Sequence, residues 1–297
     1  MRSQPSIPSV RSEQQMSSNR RGFTLVELLV VIAIIGVLVG LSLPAMQNMR
    51  ELSRRSNCQQ NLIRLSLAIS AYSFEHGHYP AGTINETGPI VNVTEGYHHN
   101  WIAALLPSLD EEAVAAAIDT DVGVYHVNNQ AVRELQLGFL MCPSNSMPQP
   151  NTSSYAGIHA STETPIDEGN DGVFRLNLQL TDDDIKDGTA HTIFLAEKLS
   201  LMREDFGWIS GTRSTLRNTG LGINGERERI RGPQDANSVV KDVYVGGIAS
   251  DHPGGAHILL GSGDCQFRSD SMDLKLLQQL ANIADGEIPA DFKTTEE

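Results

Sequence analysis

The sequence predicts an α+β protein. One long amino-terminal helix, apolar in its first half and amphipathic in its second, packs on a loop-rich, mainly antiparallel β head domain with short helices. Three observations carry this prediction. Between residues 23 and 46 the only charged side chain is Glu27. Cys58, Leu62, Leu65, Ile69 and Tyr72 then recur at spacings of four, three, four and three, the face of a core-facing helix. Beyond Pro80, Gly, Pro, Asn, Asp and Thr are frequent and apolar runs are short, as brief strands and loops require.

The apolar half comes first. About 24 helical residues rise roughly 36 Å, enough to cross a hydrocarbon core of about 30 Å. Gly36, Gly40 and an unbroken apolar circumference argue against a helix packed on a soluble core, since a surface helix would show a polar stripe. A secretory signal cut after the apolar run wants small residues at its cleavage site, which Ser42-Leu43-Pro44-Ala45 supplies poorly. A plain anchor leaves Glu27 without a partner, and an unpaired acid in an apolar span costs several kcal/mol. Cutting between Gly22 and Phe23 supplies that partner. It frees an α-amino group on Phe23, one helical turn before Glu27, and the acid can pair with its own amine or a neighbouring copy's. Pairing with a neighbour sets a fixed axial step between subunits.

Residues 21–36, Arg21-Gly22-Phe23-Thr24-Leu25-Val26-Glu27 and the apolar run after them, resemble the cleavage and methylation signature of type IV pilins and type II secretion pseudopilins. The resemblance implies that Gly22 precedes the cut of a prepilin peptidase. It also implies that Phe23 becomes an N-methylated terminus, that Glu27 serves subunit registry, and that Pro44 sits at a helix kink. Partners implied are the prepilin peptidase, the inner membrane, other pilin-like subunits and a secretion or pilus assembly machine. Arg20 and Arg21 favour a cytoplasmic leader, with the head in the periplasm or at the cell surface. Arg50, Arg54 and Arg55 weaken that bias, and the processing signature outweighs them.

Charge agrees with export. The chain carries 22 basic and 36 acidic residues, a net −14. Residues 1–22 hold four arginines against Glu13, so their removal leaves a balance of −17. Phosphate recognition needs a basic face, so no nucleic-acid partner is expected. Aromatics are only 5%, too few for wide stacking platforms. Three cysteines without a CxxC pair argue against a zinc or thioredoxin-like motif. Outside the cytoplasm one disulfide and one free thiol is the simplest arithmetic. Cys58–Cys142 is the candidate pair, and no bridge at all is the alternative.

The amphipathic half should end near His76-Gly77-His78, before Tyr79-Pro80. Counted from Phe23, the whole helix spans roughly 52 residues or about 78 Å. In the body, helices are expected over 101–109 and 111–118. Strands are expected over 139–144, running into a turn, and over 172–176 and 192–197, with a polar connection at 182–188. Residues 256–260 and 265–268 flank Gly261-Ser262-Gly263-Asp264 as a hairpin, and Asp273 caps a last helix over 274–283. The expected divisions are 1–22 leader, 23–45 membrane half, 46–75 stem and 76–297 head.

Cys58-Gln59-Gln60-Asn61-Leu62, His76-Gly77-His78-Tyr79-Pro80, Cys142-Pro143-Ser144, Ser154-Tyr155-Ala156-Gly157, Asp187-Gly188-Thr189 and His252-Pro253-Gly254-Gly255-Ala256 follow one another in the body. In this order they are similar to a planctomycete-type family of prepilin-like proteins of unknown function, with a carboxyl-terminal H-X9-DG element at 250–270 here. Ser262-Gly263 stands where the family has Asp-Gly. Asp264 is displaced by two, which calls any ligand role of that aspartate into question, whereas a hairpin-turn role survives. No enzymatic activity comes with the resemblance.

Other chemistry is weaker. Gly220-Leu221-Gly222-Ile223-Asn224-Gly225 spells G-x-G-x-x-G without a clear preceding strand or following helix, so it reads as a loop. His76 with His78, His98 with His99, and His252 with His257 lack zinc-site spacing and read as solvated loop or turn histidines. No G-x-S-x-G elbow supports a serine hydrolase. Asp167, Asn170 and Asp171 cluster oxygens among glycines, a calcium candidate by analogy with secretion pseudopilins and otherwise a solvated acidic turn. Two functions remain: a structural filament subunit, or a surface binding module that uses the helix only for sorting and anchoring.

Overall fold

The structure is a computed structural model and describes residues 24–199, 205–227 and 242–287. The leader, Gly22 and Phe23 lie outside the described residues, as does the side chain of Pro44. The chain divides into two compact units, Met1–Met49 and Arg50–Glu297. The amphipathic stem from Arg50 onward thus groups with the head.

Helix α1 (Leu25–His76) is 52 residues long. In the first unit its apolar side chains, among them Leu28, Ile32, Val37 and Leu41, are exposed. The helix is long and apolar enough to cross a membrane and meets its backbone hydrogen bonds internally, as a hydrocarbon setting demands. The Ser42 hydroxyl is also satisfied internally, donating to Leu38 O at 2.7 Å.

In the second unit α1 buries Cys58, Leu62, Leu65 and Ile69, with Tyr72 partly buried beside them. Removing each such leucine from water contributes about 1.5–3 kcal/mol. The helix ends where Gly77 takes φ +79° and its N–H donates to Ser73 O at 2.8 Å, a left-handed stop that glycine accepts without steric cost.

The head is built on a five-stranded sheet in the order β5-β3-β4-β6-β7. Its strands are β3 (Tyr155–Ala160), β4 (Ile193–Glu197), β5 (Leu216–Asn218), β6 (Gly255–Leu260) and β7 (Cys265–Ser269). All neighbours are antiparallel except β3 and β5. A small antiparallel pair, β1 (Thr83–Ile84) and β2 (His99–Asn100), stands apart. Leu62, Leu65 and Ile69 share one core with Tyr155, Phe194, Leu195 and Leu259. The last helix, α5 (Leu274–Ala281), sets Leu277 and Leu280 in a second core with Ile158, Ile193 and Ile258. The sheet therefore lies between two helical layers. Asp273 caps α5 by accepting from Leu276 N at 3.0 Å.

The expected hairpin forms, with β6 paired to β7 from Gly255↔Ser269 to Leu259↔Cys265. Its turn needs Gly263, at φ +89°. Strand β4 falls where sequence placed it. The expected helix over 101–109 breaks at Pro107, giving α2 (Trp101–Leu105) and a 3-10 turn at Pro107–Leu109. The one over 111–118 shortens to α3 (Glu112–Ala116). A further short helix, α4 (Gln130–Arg133), was not expected.

Two expected strands are absent. Residues 139–144 contain the end of a 3-10 turn, Gly138–Leu140, and then irregular chain. The backbone groups there are met by Ser154, whose Oγ accepts from Cys142 N at 3.0 Å and whose N–H donates to Leu140 O at 2.7 Å. Residues 172–176 run beside β3, where Gly172 N and Phe174 N donate to His159 O and Ile158 O. They take up the end of β3 beyond Gly157, where its pairing with β4 stops, and Leu176 makes an isolated parallel bridge to Thr83, so the segment forms scattered pairs and not a strand.

Candidate functional site

At the amino end of α1, Thr24 and Glu27 close on each other. Thr24 N and Oγ1 both donate to Glu27 Oε2 at 2.8 Å, and Glu27 N donates to Thr24 Oγ1 at 3.3 Å. This reciprocal pairing is a capping box. Sequence reasoning left the acid unexplained without a cut, and the structure supplies a local role that needs none. Both residues are exposed, so the carboxylate remains open to another cation. The apolar side chains that follow present an unpartnered surface along the first unit.

The second cluster is buried in the head, where α1, β4 and the 250–257 segment meet. Cys58 and Cys142 are joined as a disulfide with Cα atoms 5.4 Å apart, and Cys265 is free and buried. Beside the bridge stands His252. Its Nδ1 lies 2.5 Å from Glu51 Oε1 and its Nε2 lies 3.2 Å from Glu197 Oε1. That Nε2 is also 3.4 Å from Cys142 Sγ. Glu197 Oε2 accepts from His257 N at 2.8 Å, and His257 Nδ1 is 3.3 Å from Oε1.

Glu51 has its own supports. Ser144 Oγ donates to it at 3.1 Å, and Arg54 and Arg55 stand 3.6 and 3.7 Å away. Arg55 also lies over the Phe267 ring at 4.0 Å and donates to Pro253 O. These arginines, which blurred the orientation signal in the sequence, have work in the head.

Electrostatics follow the geometry. Burial opposes charge on Glu197, but hydrogen bonds from His252 and His257 hold its carboxyl down at about 2. Burial likewise disfavours a charged His252, and the carboxylates of Glu197 and Glu51 overcome it, raising its pKa. Glu51 is desolvated too, yet His252 and Ser144 bring it below the usual carboxylate range. Burial pushes the Cys265 thiol up to about 12, so it is inert at neutral pH.

Asp167, Asn170 and Asp171 do not converge on open space. Asn170 Oδ1 accepts from Asp167 N at 2.7 Å and lies 2.9 Å from His159 Nδ1. Asp171 accepts from Ser161 N and Oγ and from Asn282 Nδ2. Their oxygens tie the loop to β3 and the carboxyl end. The histidines also differ from expectation: His98, His99, His252 and His257 are buried, enclosed by the packing of their loops on the head. The G-x-G-x-x-G segment is a turn, as expected, although β5 does precede it. Glu51 carries no sequence signal at all, whereas Glu197, a single acid ending the apolar run Ile193–Glu197, is a cue that was readable.

Comparison with known proteins gives the class first. Residues 17–43 match the prokaryotic N-terminal methylation motif, which includes Gly22, Phe23 and Glu27. Residues 47–275 match the family described as a protein of unknown function (DUF1559), and the chain belongs to that family.

Among curated proteins it is 36% identical over 64 residues to type II secretion system core protein G of Escherichia coli K12, covering 22% of this chain and 44% of that one. It is 35% identical over 66 residues to a fimbrial protein of Neisseria meningitidis serogroup A, covering 22% and 39%. The type IV major pilin protein PilE1 of Neisseria gonorrhoeae gives 35% over 65 residues, again 22% and 39%. The chain thus spans less than half the length of these relatives. No solved structure matches it.

Proposed function

We propose that this chain is an exported, pilin-like structural subunit of the cell envelope, cut after Gly22 by a prepilin peptidase and not an enzyme. Residues 23–45 hold it in the inner membrane and dock it onto other pilin-like subunits of a secretion or pilus assembly machine. The head stands in the periplasm or at the surface. The observation that carries this reading is the methylation-motif match at residues 17–43, on the apolar half of a helix whose side chains there are exposed and where, between residues 23 and 46, the one charged residue is Glu27.

In this reading the cut removes the residues before Phe23, and the Glu27 carboxylate turns from its capping box to an α-amino group. Glu27→Ala is expected to leave cleavage largely intact and to abolish recovery of the protein in sheared filaments. Mass spectrometry of the mature amino terminus reads the first outcome, and fractionation of sheared surface material reads the second. A native chain that keeps residues 1–22 rejects processing. Normal filament entry by the mutant rejects the assembly role and leaves the anchored binding module.

A further inference from the structure

The cluster around the Cys58–Cys142 bridge is arranged as more than a staple. Among the described residues, the sulfurs of Cys58 and Cys142, a Glu197 oxygen and a His252 nitrogen all lie within 4.8 Å of one another. With Zn–S near 2.3 Å and Zn–N or Zn–O near 2.0–2.2 Å, the edges of a zinc tetrahedron run about 3.3–3.8 Å. The three edges that do not involve Cys58 are close to that range: 3.2 Å from His252 Nε2 to Glu197 Oε1, 3.4 Å from Nε2 to Cys142 Sγ, and 3.8 Å from Cys142 Sγ to Glu197 Oε1.

The surroundings are those of a ligating histidine. Glu51 holds Nδ1 at 2.5 Å, which fixes the ring and turns Nε2 toward the sulfurs. A carboxylate on the far nitrogen is the usual outer partner of a metal-bound imidazole. A small cavity lined by Cys142, Ser154, Glu197 and Ser250 borders the cluster. Two thiolates with one imidazole and one carboxylate suit a borderline-soft divalent ion. The geometry points to a thiol-gated zinc-class site made by Cys58, Cys142, Glu197 and His252, closed while the disulfide is intact and open to the ion once it is reduced.

A dithiol reduces the bridge by two electrons, leaving two thiols on the protein and becoming a disulfide itself. The ion replaces both thiol protons and the proton that a charged His252 carries on Nε2, and all of them pass to solvent. His252 ligates through Nε2 and keeps its remaining proton on Nδ1, donated to Glu51. The sulfurs part to a tetrahedral edge of about 3.8 Å. Cys265 stays protonated and takes no share.

The test uses the full-length chain in detergent, reduced anaerobically by a dithiol that is then removed, and titrated with Co2+ and with Zn2+. One Co2+ per chain is expected, with thiolate-to-cobalt charge transfer and the strong visible bands of a tetrahedral site. Zn2+ displaces it and shields Cys58 and Cys142 from alkylation. Glu51→Gln weakens Co2+ binding about 10–100-fold as an outer partner should, and His252→Gln alters the visible bands. Cys265→Ser changes neither, and the oxidised protein gives no charge transfer. A reduced, unmutated protein that shows no charge transfer and no shielding overturns the proposal and leaves a disulfide only. Bands that survive unaltered in both His252→Gln and Glu197→Gln overturn it as well.

Discussion

His159 shows how a single residue sets an acid limit on the head. Its ring is fully enclosed, and burial lowers its pKa from 6.5 to about 4, with the Asn170 hydrogen bond only partly offsetting that cost. His98 is lowered to about 4 for the same reason. Both histidines are neutral in the fold at neutral pH, so the unfolded chain takes up protons first on acidification. The contribution of these two groups is therefore constant above about pH 6.5 and falls as pH drops toward 4, by about 1.4 kcal/mol for each unit and each group. His159→Gln keeps a polar partner for Asn170 and removes one titration. Thermal melts between pH 7 and 4, each value about a unit apart, are expected to show a shallower acid limb for the variant. An unchanged slope would mean that His159 does not report on folding.

At the scale of elements, legibility tracked periodicity. Helix α1 was readable end to end because an uncharged run and a three-four spacing each have one simple structural solution. Leu62 lies on its buried stripe. Leu62→Ala is expected to cost about 2–5 kcal/mol, read as a lower urea midpoint for the head. The hairpin of β6 and β7 was readable from its Gly-rich turn. Strand β3 was not: Tyr155–Ala160 is buried throughout, so it lacks the alternation that marks a half-exposed strand. Residues 172–176 carry that kind of signal and yet make only isolated pairs, with the end of β3 and with Thr83.

The buried cluster was legible only in pieces. Arithmetic supplies one bridge without choosing its cysteines, so Cys58–Cys142 stands only as a candidate beside no bridge at all, and His252 reads as a turn histidine. Glu51 and Glu197 join it only because α1 and β4 bring residues about 50 to 200 positions apart into contact. No local pattern encodes such a meeting.

For the whole molecule, the division at residue 49 separates an exposed apolar segment from a unit that owns its cores. The stem residues that fill the first core, Leu62, Leu65 and Ile69, all lie beyond that division. A chain beginning at residue 50 is expected to remain folded and to leave the membrane fraction for the supernatant after ultracentrifugation. The full chain is expected to need detergent. A truncated protein that still sediments with lipid would place a membrane contact in the head.

The disulfide has a mechanical consequence. It ties Cys58 to a residue 84 positions further on, so a pull applied at the amino terminus and resisted beyond Cys142 runs across two sulfur atoms. The intervening chain, about 280 Å when fully drawn out, carries none of that tension. Optical-tweezer extension of the oxidised protein should fall short of the reduced one by about that length. An anchor built this way lets the head be tugged hard without paying out its slack.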